Sequence, residues 1–327
     1  MSGTGGFQTQ AYNQPVMAVA GDFASQNPYF SFDAGPGGLI AGTNGVTVGV
    51  FAWAAFPADS DGTPAIVYNN AHVGSPGPPS GFVHRAQQAL ITTFLADASM
   101  VIPGGFPVTL MTGGDFWVVN NGTTDAQMGQ KVFASITNGQ ASMAASGGYA
   151  SNVAGTSATV ATTVFSQTGT ITGNTLVVAG TTSVAIYPGA VLSGPGVGTV
   201  LSLVSGSAAG TSATFLLSVG EQSVTSTNIA GAYSILTSPG LSGTQTAAFT
   251  VGQIVYGGGL PVVPPVFIAY SISGSAGVTQ TMVLSNPSVT VTATTVNGSN
   301  SVETRWWVQS AGLPGELVKI TDHAPSV

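Results

Sequence analysis

Between positions 148 and 298 the sequence holds one carboxylate, Glu221, and no Lys, Arg or His. A stretch that long and that free of charge has few ways to fold. Disorder goes with low hydrophobicity and high net charge, and this segment has neither. Gly, Ser, Thr, Ala and Val fill it instead. β-branched residues favour strands, and glycines separate strands with turns. The rest of the chain shares the habit: charged residues are 5% of 327, where about 25% is usual. An all-β fold is expected throughout.

Positive mean hydropathy makes a membrane span the first alternative to test. The longest apolar runs, Val48 to Phe56 and the Pro-broken Pro261 to Tyr270, fall well short of the roughly 20 residues a spanning helix needs. The opening Met1-Ser2-Gly3-Thr4-Gly5-Gly6 has no basic and no apolar region, so no secretory signal is expected. An outer-membrane barrel, which must be exported, is disfavoured with it. There is no cysteine, which excludes disulfides and thiolate metal sites and suits synthesis in a reducing host cytoplasm. Four basic residues against a net charge of −7 cannot neutralise a row of phosphates, so direct nucleic-acid binding is not expected.

Texture divides the chain into three zones. Residues 1–147 carry most of the charges, and their aromatic opening, Phe7 to Pro28, reads as an extended arm. Strands are expected at Gly45–Trp53, Phe106–Met111 and Asp115–Val119. The last is followed by Asn120-Asn121-Gly122, a hairpin-turn signal. Pro64 to Gly81 reads as a Pro/Gly loop, and Arg85 to Ala96 as either a short helix or a strand pair.

Residues 148–300 read as an insertion of one or two small β-sandwiches. Pro188–Val197 resembles Val251–Leu260, and Val204-Ser205-Gly206-Ser207 resembles Ile272-Ser273-Gly274-Ser275. Leu217-Ser218 and Ser223–Thr227 match Leu284-Ser285 and Ser288–Thr292 at a similar offset. Two copies of one unit, about 165–230 and 231–298, account for this; chance self-alignment of a Gly/Ser/Thr-rich text is the alternative. Val289, Val291 and Ala293 alternate with Thr290, Thr292 and Thr294, as in strands with one buried face.

Residues 301–327 regain charge and tryptophan. Val302, Thr304, Trp306 and Val308 fall on one strand face, with Glu303, Arg305, Trp307 and Gln309 on the other. Glu316–Thr321 reads as a closing strand. The tail is expected to pair with the first zone, giving a discontinuous β-barrel or sandwich base, 1–147 plus 301–327, that carries the insertion.

Chemical signatures are sparse. There is no G-x-S-x-G elbow, and His72, His84 and His323 stand far apart without a partner pattern. Asp59 and Asp61 look like turn residues, since the rest of a calcium loop is missing. His84-Arg85 is read as pairing locally in preference to facing a partner. No catalytic residue, cofactor or metal site is expected. Trp53 and Trp117 read as core; of Trp306 and Trp307, one is core and the other surface or interface. The candidate contact residues for a partner are Phe7, Tyr12 and Phe23 on the arm and Trp307 on the tail.

The runs Gly81–Thr92, Ala96–Val108 and Gly114–Val118, with Val19–Ser25 near the start and Val302–Trp306 and Gly315–Ile320 near the end, resemble the structural cement proteins that decorate tailed-bacteriophage heads. The resemblance covers about half the chain. It implies a protein in many copies on the capsid exterior, bound to the major capsid protein and to itself as a dimer or trimer. It brings no catalytic residues. A tail, fibre or adhesion component, touching host glycans weakly through the insertion, is the alternative.

Overall fold

The computed structural model describes residues 18–35, 37–55, 62–71, 77–85, 99–149, 153–179, 184–208, 212–220, 222–238, 248–261, 265–274 and 278–323. Among them every regular element is a strand and none is a helix. The helix-or-strand alternative at 86–96 and the Asp59/Asp61 turn lie outside the described residues.

Two sheets face each other across the first core. One orders β1 (Phe30–Ser31), β8 (Leu110–Gly113), β6 (Gly81–Val83), β4 (Phe51–Ala55), β5 (Ala65–Tyr68) and β2 (Leu39–Ala41). The other orders β11 (Ala141–Ala144), β10 (Lys131–Ser135), β22 (Ser301–Val308), β23 (Leu317–Thr321) and β9 (Asp115–Val119). Phe51, Trp53, Phe82 and Met111 from the first meet Phe116, Val118, Val132, Trp306 and Ile320 from the second. Fully burying side chains of this size contributes about 1.5–3 kcal/mol each. Trp53 keeps its polar edge satisfied by donating Nε1–H to the Gly77 carbonyl at 2.8 Å. A ribbon of β3 (Val46–Thr47) and β7 (Val101–Ile102) helps cover the far side of the first sheet, where Val46 and Ile102 pack with Ala52, Ala54, Val67 and Leu110.

The tail pairs with the first zone as its pattern implies. Trp307 lies opposite Lys131 and Thr321, and Val318 opposite Val118. Along β22, Val302, Thr304, Trp306 and Val308 are buried while the alternate residues are not.

Four local expectations fail for identifiable reasons. Gly45–Trp53 is two strands, because Gly49 takes φ +78° and turns the chain between β3 and β4; a Cβ there would also come within 2.7 Å of Ala20 Cβ. Phe106–Met111 forms a strand only from Leu110, since Pro107 has no N–H for a ladder and makes only an isolated bridge to Ile40. The expected loop from Pro64 contains β5, whose Ala-Ile-Val-Tyr run alternates buried and half-buried and pairs with β2 and β4. Asn120-Asn121-Gly122 is no hairpin: the strand beside β9 is β23, not β10. The buried Asn120 side chain accepts the Gly122 N–H at 3.0 Å and donates to the Thr124 carbonyl at 2.9 Å, closing a local turn instead.

The ten-stranded sheet is built on two long strands, β12 (Val153–Gly173) and β17 (Gln222–Ser238), paired antiparallel from Thr159↔Thr237 to Gly173↔Gln222. At one end they combine with β13 (Thr175–Ala179), β14 (Val191–Ser193), β15 (Val200–Gly206) and β16 (Ser212–Leu217) around Phe165, Leu176, Phe215 and Tyr233. At the other they combine with β18 (Ile254–Tyr256), β19 (Val266–Ser273), β20 (Gln280–Leu284) and β21 (Val291–Ser299) around Val160, Leu236, Ile268 and Met282. The pairings correspond. β15–β16 matches β19–β20, β14–β17 matches β18–β21, and β12–β17 matches β12–β21. Val289 and Val291 are buried while Thr290 and Thr292 are exposed, so along this segment neutral hydroxyls take the solvent-facing positions.

Candidate interface

Of the four candidate contact residues, Phe7 and Tyr12 lie outside the described residues. Phe23 sits on the described part of the arm, which docks on its own chain. Gly21 donates to the Trp117 carbonyl at 2.8 Å, Trp117 to Asp22 at 3.0 Å and Ala24 to Asp115 at 2.9 Å, so residues 21–24 extend the second sheet beyond β9. This segment extends its own sheet, not a neighbour's.

His84 and Arg85 hold the arm from the other side. His84 Nδ1 is 2.8 Å from the Gly21 carbonyl oxygen, Arg85 N–H donates to the same oxygen at 3.0 Å, and the Arg85 guanidinium pairs with Asp22 at 3.3 Å. Their local pairing is as the sequence suggests.

The Phe23 ring lies 4.2 Å from His84, 4.6 Å from Tyr29 and 5.3 Å from Phe116, measured between centroids. It nevertheless remains 37% exposed, and Tyr29 and Phe30 are 58% and 60% exposed. Tyr29 packs beside Gly114, and Phe30 pairs with Gly113. Phe23 and Tyr29 thus stand ring to ring at the β8–β9 junction, and Phe30 is exposed separately beside Gly113; the two glycines leave room for Tyr29 and Phe30. Sequence reasoning missed Tyr29 and Phe30. The signal available was the aromatic density of Tyr29-Phe30-Ser31-Phe32, just past the Phe7-to-Pro28 arm.

Trp307 belongs to a different surface. Trp306 is 1% exposed and packs in the core with Phe116, whereas Trp307 is half-buried on the opposite side of β22. Lys131 Nζ stands 4.0 Å from the centre of the Trp307 ring, donates to the Thr304 and Arg305 carbonyls, and lies 4.0 Å from Glu303. Burial draws the Lys131 pKa below its ordinary value against the opposing pull of Glu303. Phe23 and Trp307 are therefore not one patch. Trp117, expected in the core, is only half-buried, because it alternates with Phe116 and Val118 along β9 and they take the buried side.

Two open clefts, of about 420 and 540 Å3, are lined by Ser31, Phe32, Leu39 and Val108 among others, and by Pro78, Pro265, Phe267 and Asn286 among others. Among the described residues no ionisable side chain lines either. Ser25 Oγ donates to Asp115 Oδ2 at 2.6 Å, so this serine, near the Asp115–His323 pair, is bonded to the acid and not to the base a nucleophile needs beside it. What the described surface offers is apolar contact.

The family model described as XM1 gp53 minor capsid protein matches residues 7–230, more than half of the chain. Comparison with curated proteins gave no match.

Proposed function

The chain belongs to the XM1 gp53 minor capsid protein family, and from that membership we propose that it binds the outer surface of the icosahedral shell and clamps neighbouring major capsid subunits. A virion structural role comes with the family, which suggests a non-enzymatic task. The clamping is our reading of the surface. The observation that carries it is the exposed Phe23–Tyr29 ring pair, with Phe30 also exposed next to Tyr29 in the chain. Adjacent exposed rings are unfavourable in water, and aromatics are enriched where proteins meet.

In this reading residues 1–147 and 301–327 form the base that seats on the shell, and 148–300 project from it as two related β units. The strand-for-strand correspondence of the two ends of the ten-stranded sheet supports the duplication. Self-association as a dimer or trimer would repeat a modest contact around a capsid symmetry axis, where multivalency raises retention without larger interfaces.

The test combines imaging with binding. Cryo-electron microscopy of virions should place this chain over the head with the base inward. The double variant Tyr29→Ser/Phe30→Ser should bind shells at least tenfold more weakly while folding normally, because both rings are exposed. Density inside the shell, or full occupancy by the double variant, would refute this reading. Density at the tail alone would favour the host-surface adhesion alternative.

A further inference from the structure

The end of β23 brings together three groups that no sequence motif connects. Asp115, Asp322 and His323 each offer one ligand atom, and these atoms all lie within 4.8 Å of one another. His323 Nδ1 is 3.1 Å from Asp322 Oδ1 and 3.7 Å from Asp115 Oδ1. We propose that these three side chains bind a divalent transition-metal cation, which ties the end of the closing strand to β9 and, through Asp115, to the arm.

Three observations carry this. First, the Asp115 side chain is 1% exposed, and its Oδ1 accepts no hydrogen bond of ordinary geometry. A buried carboxylate oxygen without a hydrogen bond is costly, and one close to two other ligand groups suits a cation. Secondly, one imidazole N–H cannot serve both carboxylates, and Thr321 Oγ1 lies 3.4 Å from the same nitrogen. A cation placed between the groups satisfies all three. Ligands at about 2.0–2.2 Å in a tetrahedron stand roughly 3.4 Å apart, a value the two measured separations bracket.

Thirdly, both carboxylates are already oriented. Asp115 Oδ2 accepts from Ser25 Oγ at 2.6 Å and Asn27 Nδ2 at 2.8 Å, which turns Oδ1 towards the cluster, and Asp322 Oδ1, the oxygen that faces His323, also accepts the Gly114 N–H at 2.8 Å. Such partners orient ligands towards a metal. His323 is 46% exposed, which leaves a path for the ion and room for a water as fourth ligand. Imidazole with two carboxylates favours Zn2+ and its neighbours over Ca2+ or Mg2+.

The test uses the purified full chain, stripped with a chelator and titrated with ZnCl2 alone. One equivalent should bind, and the thermal midpoint should rise by roughly 5 °C or more at a hundredfold excess over Kd. Co2+ should give the visible d–d absorption of a low-coordinate N/O site. His323→Ala and Asp322→Asn, both at partly exposed positions, should fold normally, weaken zinc binding at least tenfold and abolish the cobalt spectrum. No zinc response would overturn the proposal and leave a plain His–Asp ion pair. A response undiminished in both variants would overturn it equally, by moving the metal elsewhere in the chain.

Discussion

Gly147 donates its backbone N–H to the Glu303 carboxylate at 2.8 Å, and the neighbouring Ser146 hydroxyl donates to the same group at 3.0 Å. The chain therefore leaves the second sheet and returns to it within one side chain's reach. Close ends are the condition under which a segment can be carried without disturbing its host.

Excision is the direct check. A chain with 148–300 replaced by a short Gly/Ser linker should remain soluble, β-structured and cooperatively folded. It should also be less stable than the whole, because Ile254 and Phe267 pack into the base core. Circular dichroism with a thermal scan measures this; a chain with no cooperative transition would contradict the division into base and insertion.

Trp306 and Trp307 should separate stability from surface behaviour. Trp306→Ala removes a fully buried side chain and should cost about 3–5 kcal/mol in denaturant unfolding. Trp307→Ala removes a half-buried ring and its contact with Lys131, and should cost about 1–2 kcal/mol.

Gly139 takes φ +72°, and a Cβ there would collide with the Phe51 carbonyl oxygen. That approach is needed because Phe51 N–H donates to the Gly139 carbonyl at 2.9 Å. Gly139→Ala should cost at least about 2 kcal/mol, strain and collision together. Gly105→Ala, at φ +81° with open space around it, should cost only about 1–2 kcal/mol of strain. Equal unfolding midpoints for the two variants would contradict the close approach.

Acid should reveal Asp115. Burial raises its pKa, but the hydrogen bonds from Ser25 and Asn27, the nearby Thr321 hydroxyl and the charge of Lys319 together outweigh burial, leaving the carboxyl below its ordinary 3.8. A depressed folded pKa contributes stability that is complete above the unfolded value and disappears as pH falls through the folded one. Metal-free protein should therefore lose stability as pH drops through and below 3.8. Asp115→Asn should flatten that part of the profile, measured by urea unfolding from pH 6 downwards.

Much of the architecture was legible in residues alone. Alternation along Val302–Val308 and Val289–Thr292 reports which face meets a core, because a strand has period two whatever surrounds it. The return of charge and tryptophan after position 300 signalled a tail like the first zone, and β22 and β23 pair with β10 and β9. The candidate site was less legible. Phe23 lies in an exposed aromatic group, but Tyr29 and Phe30 were passed over, and Trp117 was misassigned to the core. A strand pattern tells which residues share a face, not which face is covered.

The near-absence of charge, the missing cysteines and the strand periodicity determined an all-β chain that buries apolar faces and leaves hydroxyls on the alternate positions, since these are properties of local chemistry. Tertiary structure alone decided what lies far apart in sequence and close in space. It brought Gly114 and Asp322, 208 residues apart, into hydrogen-bond contact, laid residues 21–24 along β9, and assembled Asp115, Asp322 and His323. Long-range pairing depends on which faces pack and which loops close, and neither is written in any single stretch of the chain.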